Sequence, residues 1–219
     1  MIEEVSNFLN EIRHDFSSRP LNMESVLDNP MEQYAQWFEE AVGSQILDPK
    51  AMVLTTVNSR GVPSSRVLYA RGITREGFIF YTNYNSRKAK EMEENPFVCV
   101  NIHWPELERQ IRASGKIEKV KAEVSDKYFS GRPRASQIGA WASDQSDKLS
   151  SREELEKKVE EFEKKFRGRD VPRPPHWGGY FMKVDYFEFW QGRAARLHDR
   201  IVYDWNKESR TWDKHRISP

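Results

Sequence analysis

The stretch Glu188 to Arg200 reads EFWQGRAARLHDR. Phe189 and Trp190 run directly into Arg193, Arg196, His198, Asp199 and Arg200. A guanidinium grips a phosphate or carboxylate as a planar, two-pronged fork. The arginines here outnumber the one aspartate, so an external anion is a simpler partner for them than a closed ion-pair cluster around Asp199. Trp190 beside them can edge a flat ring. If the segment is extended, Arg196 and His198 point to the same side.

Other clusters invite the same question. In YTNYNSRKA (81–89) a strand runs into a helix whose first turn holds Arg87 and Lys88. A helix N-terminus offers free amide donors and partial positive charge. Cations there are unfavourable for the helix itself, and a bound anion would explain them. The alternative is two solvated cations beside Glu91, Glu93 and Glu94. In SSRVLYAR (64–71), alternation places Arg66, Leu68 and Ala70 on one face and Val67, Tyr69 and Arg71 on the other. Those charges can grip a ligand lying along the strand, or can guard an edge strand against aggregation. The run KYFSGRPRASQIGAWASDQS (127–146) reads either as a polar loop or as a set of donors and amides suited to a planar polar ligand.

Several chemistries have no support. There is no GxGxxG, GxxxxGK[ST] or HExxH, and Cys99 is the sole cysteine. The histidines at 14, 103, 176, 198 and 215 lack metal-ligand spacing, so no metal is expected. No motif supports a nucleophilic serine or cysteine.

The elements that must position these residues are mostly strands. Runs at 51–57, 64–73, 77–83, 97–104, 109–120, 180–191, 201–206 and 211–217 have strand character and are separated by turn signals, a spacing that predicts a closed or nearly closed barrel. A helix is expected over 28–43, with Asn29 as cap, Pro30 in the first turn, Gly43 at its end, and Met31, Tyr34, Phe38 and Val42 on one face. Helical segments at 86–95, 122–130 and 151–168 interrupt the strands. The last carries a capping-box pattern at Ser151 and Glu154 and an apolar stripe of Leu155, Val159, Phe162 and Phe166. Residues 1–28 read as an arm. With no Gly-, Pro- or Ser-rich linker, 1–219 is read as a single domain.

The 219 residues include 35 basic and 34 acidic ones, a net of +1, so the arginine clusters are local concentrations and not samples of a basic protein. That balance argues against a general polyanion binder. Cys99 lies in FVCV and is expected to pack as a small hydrophobe. No apolar run reaches membrane-spanning length and the N-terminus lacks an apolar signal core, so a soluble, cytoplasmic protein is expected. A barrel with separate anion grips and aromatic walls suits a phosphorylated aromatic cofactor together with a phosphorylated aromatic substrate.

SRVLYARG, FYTNYNSRKA, ERQIRASG, YFSGRPRASQIGAWASDQS, PHWGGY and EFWQGRAARLHDR, in this order, closely resemble the pyridoxine/pyridoxamine 5′-phosphate oxidase family from about residue 13 to the closing RISP. The resemblance implies a mostly β fold with flanking helices, an FMN-binding split β-barrel that works as a homodimer with shared sites. It implies oxidation of pyridoxine 5′-phosphate or pyridoxamine 5′-phosphate to pyridoxal 5′-phosphate by O2, giving H2O2, and NH3 from the amine, as in vitamin B6 salvage. By motif, Arg66, Val67, Leu68, Tyr69, Ala70 and Arg71 line FMN, Tyr81 and Thr82 contact it, and Arg87 and Lys88 hold its phosphate. Gln110, Gln145, Ser146, Trp190 and Arg200 complete that site. The substrate phosphate meets Arg71, Tyr128, Arg132 and Ser136, while Arg196 and His198 act over the pyridine ring and Arg13 belongs to an N-terminal lid. Two positions depart from the family pattern: Arg71 stands where lysine is usual and Phe16 where tyrosine is usual. From another class, a flavin- or PLP-binding module with little turnover is the alternative.

Overall fold

The computed structural model describes Phe16 and residues 19–219; Arg13, expected in the lid, lies outside the described residues. Helix α1 (Pro30–Gly43) begins where Asn29 accepts hydrogen bonds from the amides of Met31 and Glu32, and Pro30 occupies the first turn, where no amide donor is needed. It buries Met31, Tyr34, Trp37 and Ala41. The expected stripe through Val42 is shifted: Val42 is 54% exposed, because the buried arc centres between Tyr34 and Trp37.

The chain continues through β1 (Ala51–Val57), β2 (Pro63–Tyr69), β3 (Gly72–Thr74), β4 (Gly77–Asn83), α2 (Arg87–Glu94), β5 (Phe97–Trp104) and β6 (Arg109–Lys119). Then come α3 (Ala122–Ser130), α4 (Arg134–Ala142), α5 (Arg152–Lys165), β7 (Trp177–Gln191), β8 (Asp199–Asn206) and β9 (Thr211–Arg216). Three expectations need correction. The single strand at 64–73 is two, because the Ala70 amide turns to the Lys50 carbonyl and the Arg71 amide to that of Ile79. The stretch 127–146 is not all loop, since α4 lies inside it with Gln137, Ile138 and Ala142 buried. The capping box at α5 is only half formed: Ser151 accepts from the Glu154 amide, while Glu154 reaches to Ser150.

Two compact units arise. One comprises the chain up to Pro49 with Ile102–Arg112 and Tyr186–Pro219; the other comprises Lys50–Asn101 and Ala113–Asp185. The second holds β1 to β4 with parts of β5, β6 and β7, in the strand order β2-β1-β5-β6-β7-β4-β3. β1 shows the half-buried alternation of a sheet with one inner face, and Met52, Leu54 and Thr56 point inward. Cys99 of β5 is half-buried, between the buried Val98 and Val100. Under the helices lies a cluster of Phe129, Ile138, Phe166, Val171 and Trp177. The Gly178-Gly179 pair is required here. A Cβ on Gly179 would sit 2.7 Å from Val120 and 2.8 Å from the Tyr81 ring, and one on Gly178 would collide with the Tyr84 hydroxyl.

In the first unit β8 pairs with β7 from Tyr186 to Gln191, and β9 pairs with β8. Its core is aromatic: Trp37 and Tyr203 meet Phe189 edge-on at 5.0 and 5.7 Å, and Phe187 stacks on Phe189 at 5.0 Å. Segments far apart in the sequence are joined there. The Leu21 amide donates to Asp199 at 3.0 Å, and Arg216 donates to the Leu21 carbonyl at 2.7 Å.

Candidate active site

The second unit holds a pocket of about 430 Å³ where β2, β4 and the start of α2 converge. Its walls are Arg66, Val67, Leu68, Tyr81, Thr82, Arg87, Lys88, Gln145 and Ser146, all from the set singled out in the sequence. β2 alternates as expected: Arg66 and Leu68 turn inward, while Val67 is 66% and Tyr69 38% exposed. Tyr69 carries the Lys50 ammonium at 5.3 Å and the Arg71 guanidinium at 5.1 Å from its ring centre.

At the start of α2, Ser86 is the cap residue by position but donates its hydroxyl to the Asn83 carbonyl. No side chain caps the first-turn amides, and no acid stands in that turn. Lys88 Nζ meets neutral acceptors: Thr82 Oγ1 at 3.1 Å, Gln145 Oε1 at 3.1 Å and Ser86 Oγ at 3.4 Å. Burial, then the charge of Arg66, pulls its pKa down to about 8 against the pull of Glu91. A desolvated ammonium with neutral partners and open amides beside it is a place where an anion gains and a cation is strained. The phosphate of a nucleotide-type cofactor fits the donors present.

A second pocket, of about 740 Å³, is lined by Arg71, Tyr81, Tyr128, Arg132 and Ser136, with Val124, Lys127, Gly131 and Pro133. A third, about 380 Å³, adds Thr82, Asn83, Gln145 and Trp177 to Tyr81, Arg132 and Ser136. Tyr81 lines all three. Its ring stacks on Tyr128 at 3.8 Å and on Trp177 at 5.6 Å, both nearly parallel. The Arg132 guanidinium lies 4.5 Å above Trp177, and its Nη1 is buried without a hydrogen-bond partner. Burial, and secondarily the charge of Arg71, lowers its pKa, while Tyr128 works the other way. Two guanidiniums thus face one pocket, and a buried donor of one is unsatisfied, as a site for an anionic ligand requires.

Of the remaining expected residues that are described, Gln110, Trp190, Arg196, His198 and Arg200 lie in the first unit and Ala70 in the second. His198 is held between rings, 4.6 Å from Trp190 and 5.0 Å from Phe16, with Nδ1 accepting from the Arg193 amide at 3.1 Å. Burial, then the Arg196 charge, lowers its pKa and so favours the neutral imidazole. The segment before it is not extended. Ala194–Arg196 form a tight turn with φ of +54° at Ala195 and +60° at Arg196, so the same-side argument for Arg196 and His198 does not apply. Asp199 is engaged by Arg216 and, at 3.6 Å, by Arg193. Arg196 is exposed and has no ion-pair partner among the described residues. Arg200 donates to the buried Glu188 at 2.8 Å, which also accepts from Arg112 and Tyr186. Gln110 sits half-buried on β6, and Ala70 lies in the break between β2 and β3.

Two features escape the sequence reading. Glu91 reads there as a surface acid but is 4% exposed and accepts from Thr56, Ser64, Arg66 and Arg87. Its position four residues after Arg87 on a helix is the signal that could have exposed it. Trp177, the ring under Arg132, is visible only as part of PHWGGY.

Residues 38–166 match the pyridoxamine 5′-phosphate oxidase family, and residues 177–219 match the pyridoxine 5′-phosphate oxidase C-terminal dimerisation region. Among curated relatives, the pyridoxine/pyridoxamine 5′-phosphate oxidase of Cytophaga hutchinsonii is 51% identical over 96% of this chain and 98% of its own. Those of Leptospira interrogans, at 47% over 96% and 98%, and Rubrobacter xylanophilus, at 45% over the full length of both, are similar. The solved structure of PhzG from Burkholderia lata 383, in complex with tetrahydrophenazine-1-carboxylic acid, superposes with a TM-score of 0.86 at 31% identity, covering 93% of this chain and 100% of that one. A pyridoxamine 5′-phosphate oxidase-related, FMN binding protein from Nostoc punctiforme shares the fold, with a TM-score of 0.68 at 15% identity over 85% and 97%. The fold is therefore the split β-barrel expected, mostly β with flanking helices.

Proposed function

The chain belongs to the pyridoxamine 5′-phosphate oxidase family, and from that premise we propose that it is an FMN-dependent oxidase that makes pyridoxal 5′-phosphate. Pyridoxine 5′-phosphate plus O2 gives pyridoxal 5′-phosphate and H2O2. Pyridoxamine 5′-phosphate plus O2 and water gives the same products and NH3. The observation that carries the reading is a pair of cationic pockets sharing the Tyr81 ring, one built on Lys88 and one on Arg132 with its unsatisfied donor.

Arg66, Arg87, Lys88 and the open first-turn amides of α2 would hold the FMN phosphate, with Thr82, Gln145 and Ser146 as neutral partners. Bound FMN supplies the two-electron acceptor. Arg71, Arg132, Tyr128 and Ser136 would hold the substrate phosphate. Fixing the substrate at its phosphate end limits how it can lie against Tyr81, and such orientation supplies much of an enzyme's rate. Arg71 keeps a cation where the family usually has lysine, but as a fork that can bond two phosphate oxygens. Arg196 carries a permanent charge for an anionic ring oxygen. His198 in its neutral form can accept a proton or a hydrogen bond. Phe16, against His198, packs where a tyrosine would also have offered a hydroxyl.

We further propose that residues 1–219 act as one functional domain with 1–28 as an arm, that sites are shared within a homodimer through the C-terminal dimerisation region, and that the enzyme is cytoplasmic. Among the described residues no helix is long and apolar enough to cross a membrane. The test is direct. Purified protein should be yellow and should bleach on anaerobic addition of pyridoxine 5′-phosphate, then recover colour with air. A flavin that stays oxidised under excess substrate would leave a binding module in place of an enzyme.

A further inference from the structure

Glu91 sits in α2 with its carboxylate inside the protein. Oε2 accepts from Thr56 Oγ1 at 2.5 Å, Ser64 Oγ at 2.6 Å and Arg66 Nη2 at 3.3 Å; Oε1 accepts from Arg87 Nε at 2.8 Å. Arg66 is tied further by Nη1 to Thr56 Oγ1 at 2.6 Å and by Nη2 to Ser64 Oγ at 2.5 Å. A helix-surface acid forming a simple pair with the residue four before it would be exposed; this one is 4% exposed. Both arginines it binds line the pocket that also holds Lys88.

We propose that Glu91 is a positioning residue of the phosphate grip: its buried carboxylate fixes the Arg66 and Arg87 guanidiniums and places a negative charge near Lys88, leaving a preorganised pocket of net double positive charge. The proposal rests on the reading that FMN phosphate occupies this pocket. Three cations crowded into one small pocket would repel one another. One buried carboxylate among them lowers that cost and leaves a surplus matched to a phosphate, which carries about −1.5 to −2 near neutrality. The groups facing Glu91 are Thr56 of β1, Ser64 and Arg66 of β2, and Arg87 and Lys88 of its own helix. Those facing Lys88 besides Arg66 and Glu91 are Thr82 of β4, Gln145 and Ser86.

The charge on Glu91 is secure. Burial works to raise its pKa, but hydrogen bonds from Ser64, Thr56 and Arg87 and the charge of Arg66 outweigh it and hold it at about 2. Lys88 is the sensitive partner. Burial and Arg66 draw its proton off and Glu91 opposes them, so without the Glu91 charge Lys88 must deprotonate at lower pH.

The experiment is titration of flavin-stripped Glu91→Gln and wild-type protein with FMN and with riboflavin, which lacks the phosphate, from pH 6 to 9, read by quenching of flavin fluorescence. Losing one charged hydrogen-bond acceptor should raise the FMN Kd of Glu91→Gln about tenfold or more near pH 7.5. Its FMN affinity should also decline with rising pH about one unit earlier than in wild type. Riboflavin binding should change little. Equal FMN affinity and an unchanged pH profile would overturn the proposal, as would equal losses for FMN and riboflavin. A wild-type protein that binds riboflavin as tightly as FMN would instead sink the underlying phosphate assignment. If Glu91→Gln does not fold, Thr56→Val removes one anchor of both the carboxylate and Arg66 while keeping side-chain shape. It should weaken FMN severalfold and spare riboflavin; an equal effect on both ligands overturns the proposal.

Discussion

Replacing Arg132 with methionine should separate binding from stability, with the two moving independently. The side chain is boxed in by Phe129 and Trp177, with Nη1 buried and unsatisfied. Removing an unpaired buried donor relieves about 1–3 kcal/mol. Losing the stacking of the cation on Trp177 forfeits about 0.5–2 kcal/mol. The two nearly cancel, and methionine keeps the apolar stem, so ligand-free Arg132→Met should fold with a Tm within about 4 °C of wild type, given roughly 2–4 °C per kcal/mol for a chain of this size. Substrate binding has no such compensation. A guanidinium on phosphate makes charge-assisted bonds worth about 1.5–3 kcal/mol, a factor of roughly 10 to 150. Steady-state oxidation of pyridoxine 5′-phosphate should show KM raised on that scale, and FMN should remain bound because Arg132 lies in the other pocket. A Tm drop beyond about 6 °C with KM unchanged would make Arg132 a structural brace for Trp177 and refute the reasoning.

The double variant Arg87→Ala/Lys88→Ala should lower FMN affinity by orders of magnitude, about 1.5–3 kcal/mol for each charge-assisted bond, with circular dichroism unchanged; protein that still purifies fully loaded refutes the assignment. Lys88 has its pKa lowered to about 8 from 10.5, so the unfolded chain binds more protons between those values and stability from this group rises with pH there. Below pH 8 its strain is fully present. Flavin-free Lys88→Met should therefore be more stable than wild type at pH 7, with the difference shrinking towards pH 10 in urea titrations; a constant difference refutes the desolvated-lysine account. Arg196→Ala should keep FMN yet strongly slow anaerobic reduction of the flavin by substrate in stopped flow, His198→Ala more mildly; a wild-type reduction rate removes Arg196 from the substrate site.

Much of this arrangement is legible in the sequence, for identifiable reasons. β1, β4, β5 and α3 have the expected bounds because alternation, Gly and Pro punctuation and local caps agree there. The pocket at Lys88 is legible because strand alternation and a helix start are both local features. What escapes is set by distant contacts. RASQIGAWA has a glycine mid-helix and a short length, both poor for an isolated helix. α4 nonetheless forms, with Ile138 buried and the Gln137 amide donating to the Phe129 and Ser130 carbonyls. The break at Ala70-Arg71 is made by partners in other strands. The turn at Ala194–Arg196 uses left-handed alanine and arginine, which no composition rule favours. Glu91 looks like one more surface charge until β1 and β2 are folded over it.

The order of synthesis gives the interleaved units a further meaning. The first unit draws on the chain before Pro49 and on Tyr186–Pro219, and Leu21 finds Asp199 and Arg216 only across separations of 178 and 195 residues. On a ribosome adding about 5–20 residues per second, helix α1 would therefore emerge many seconds before its aromatic partners Phe189 and Tyr203 exist. Tyr34 and Phe38 can meet Trp104, and Trp37 the Arg109 guanidinium, once β5 and β6 emerge, but the edge contact of Trp37 with Phe189 must wait for β7. Messages truncated before β8 should accordingly yield chains whose N-terminal segment is digested early by protease, however well the strands between have assembled.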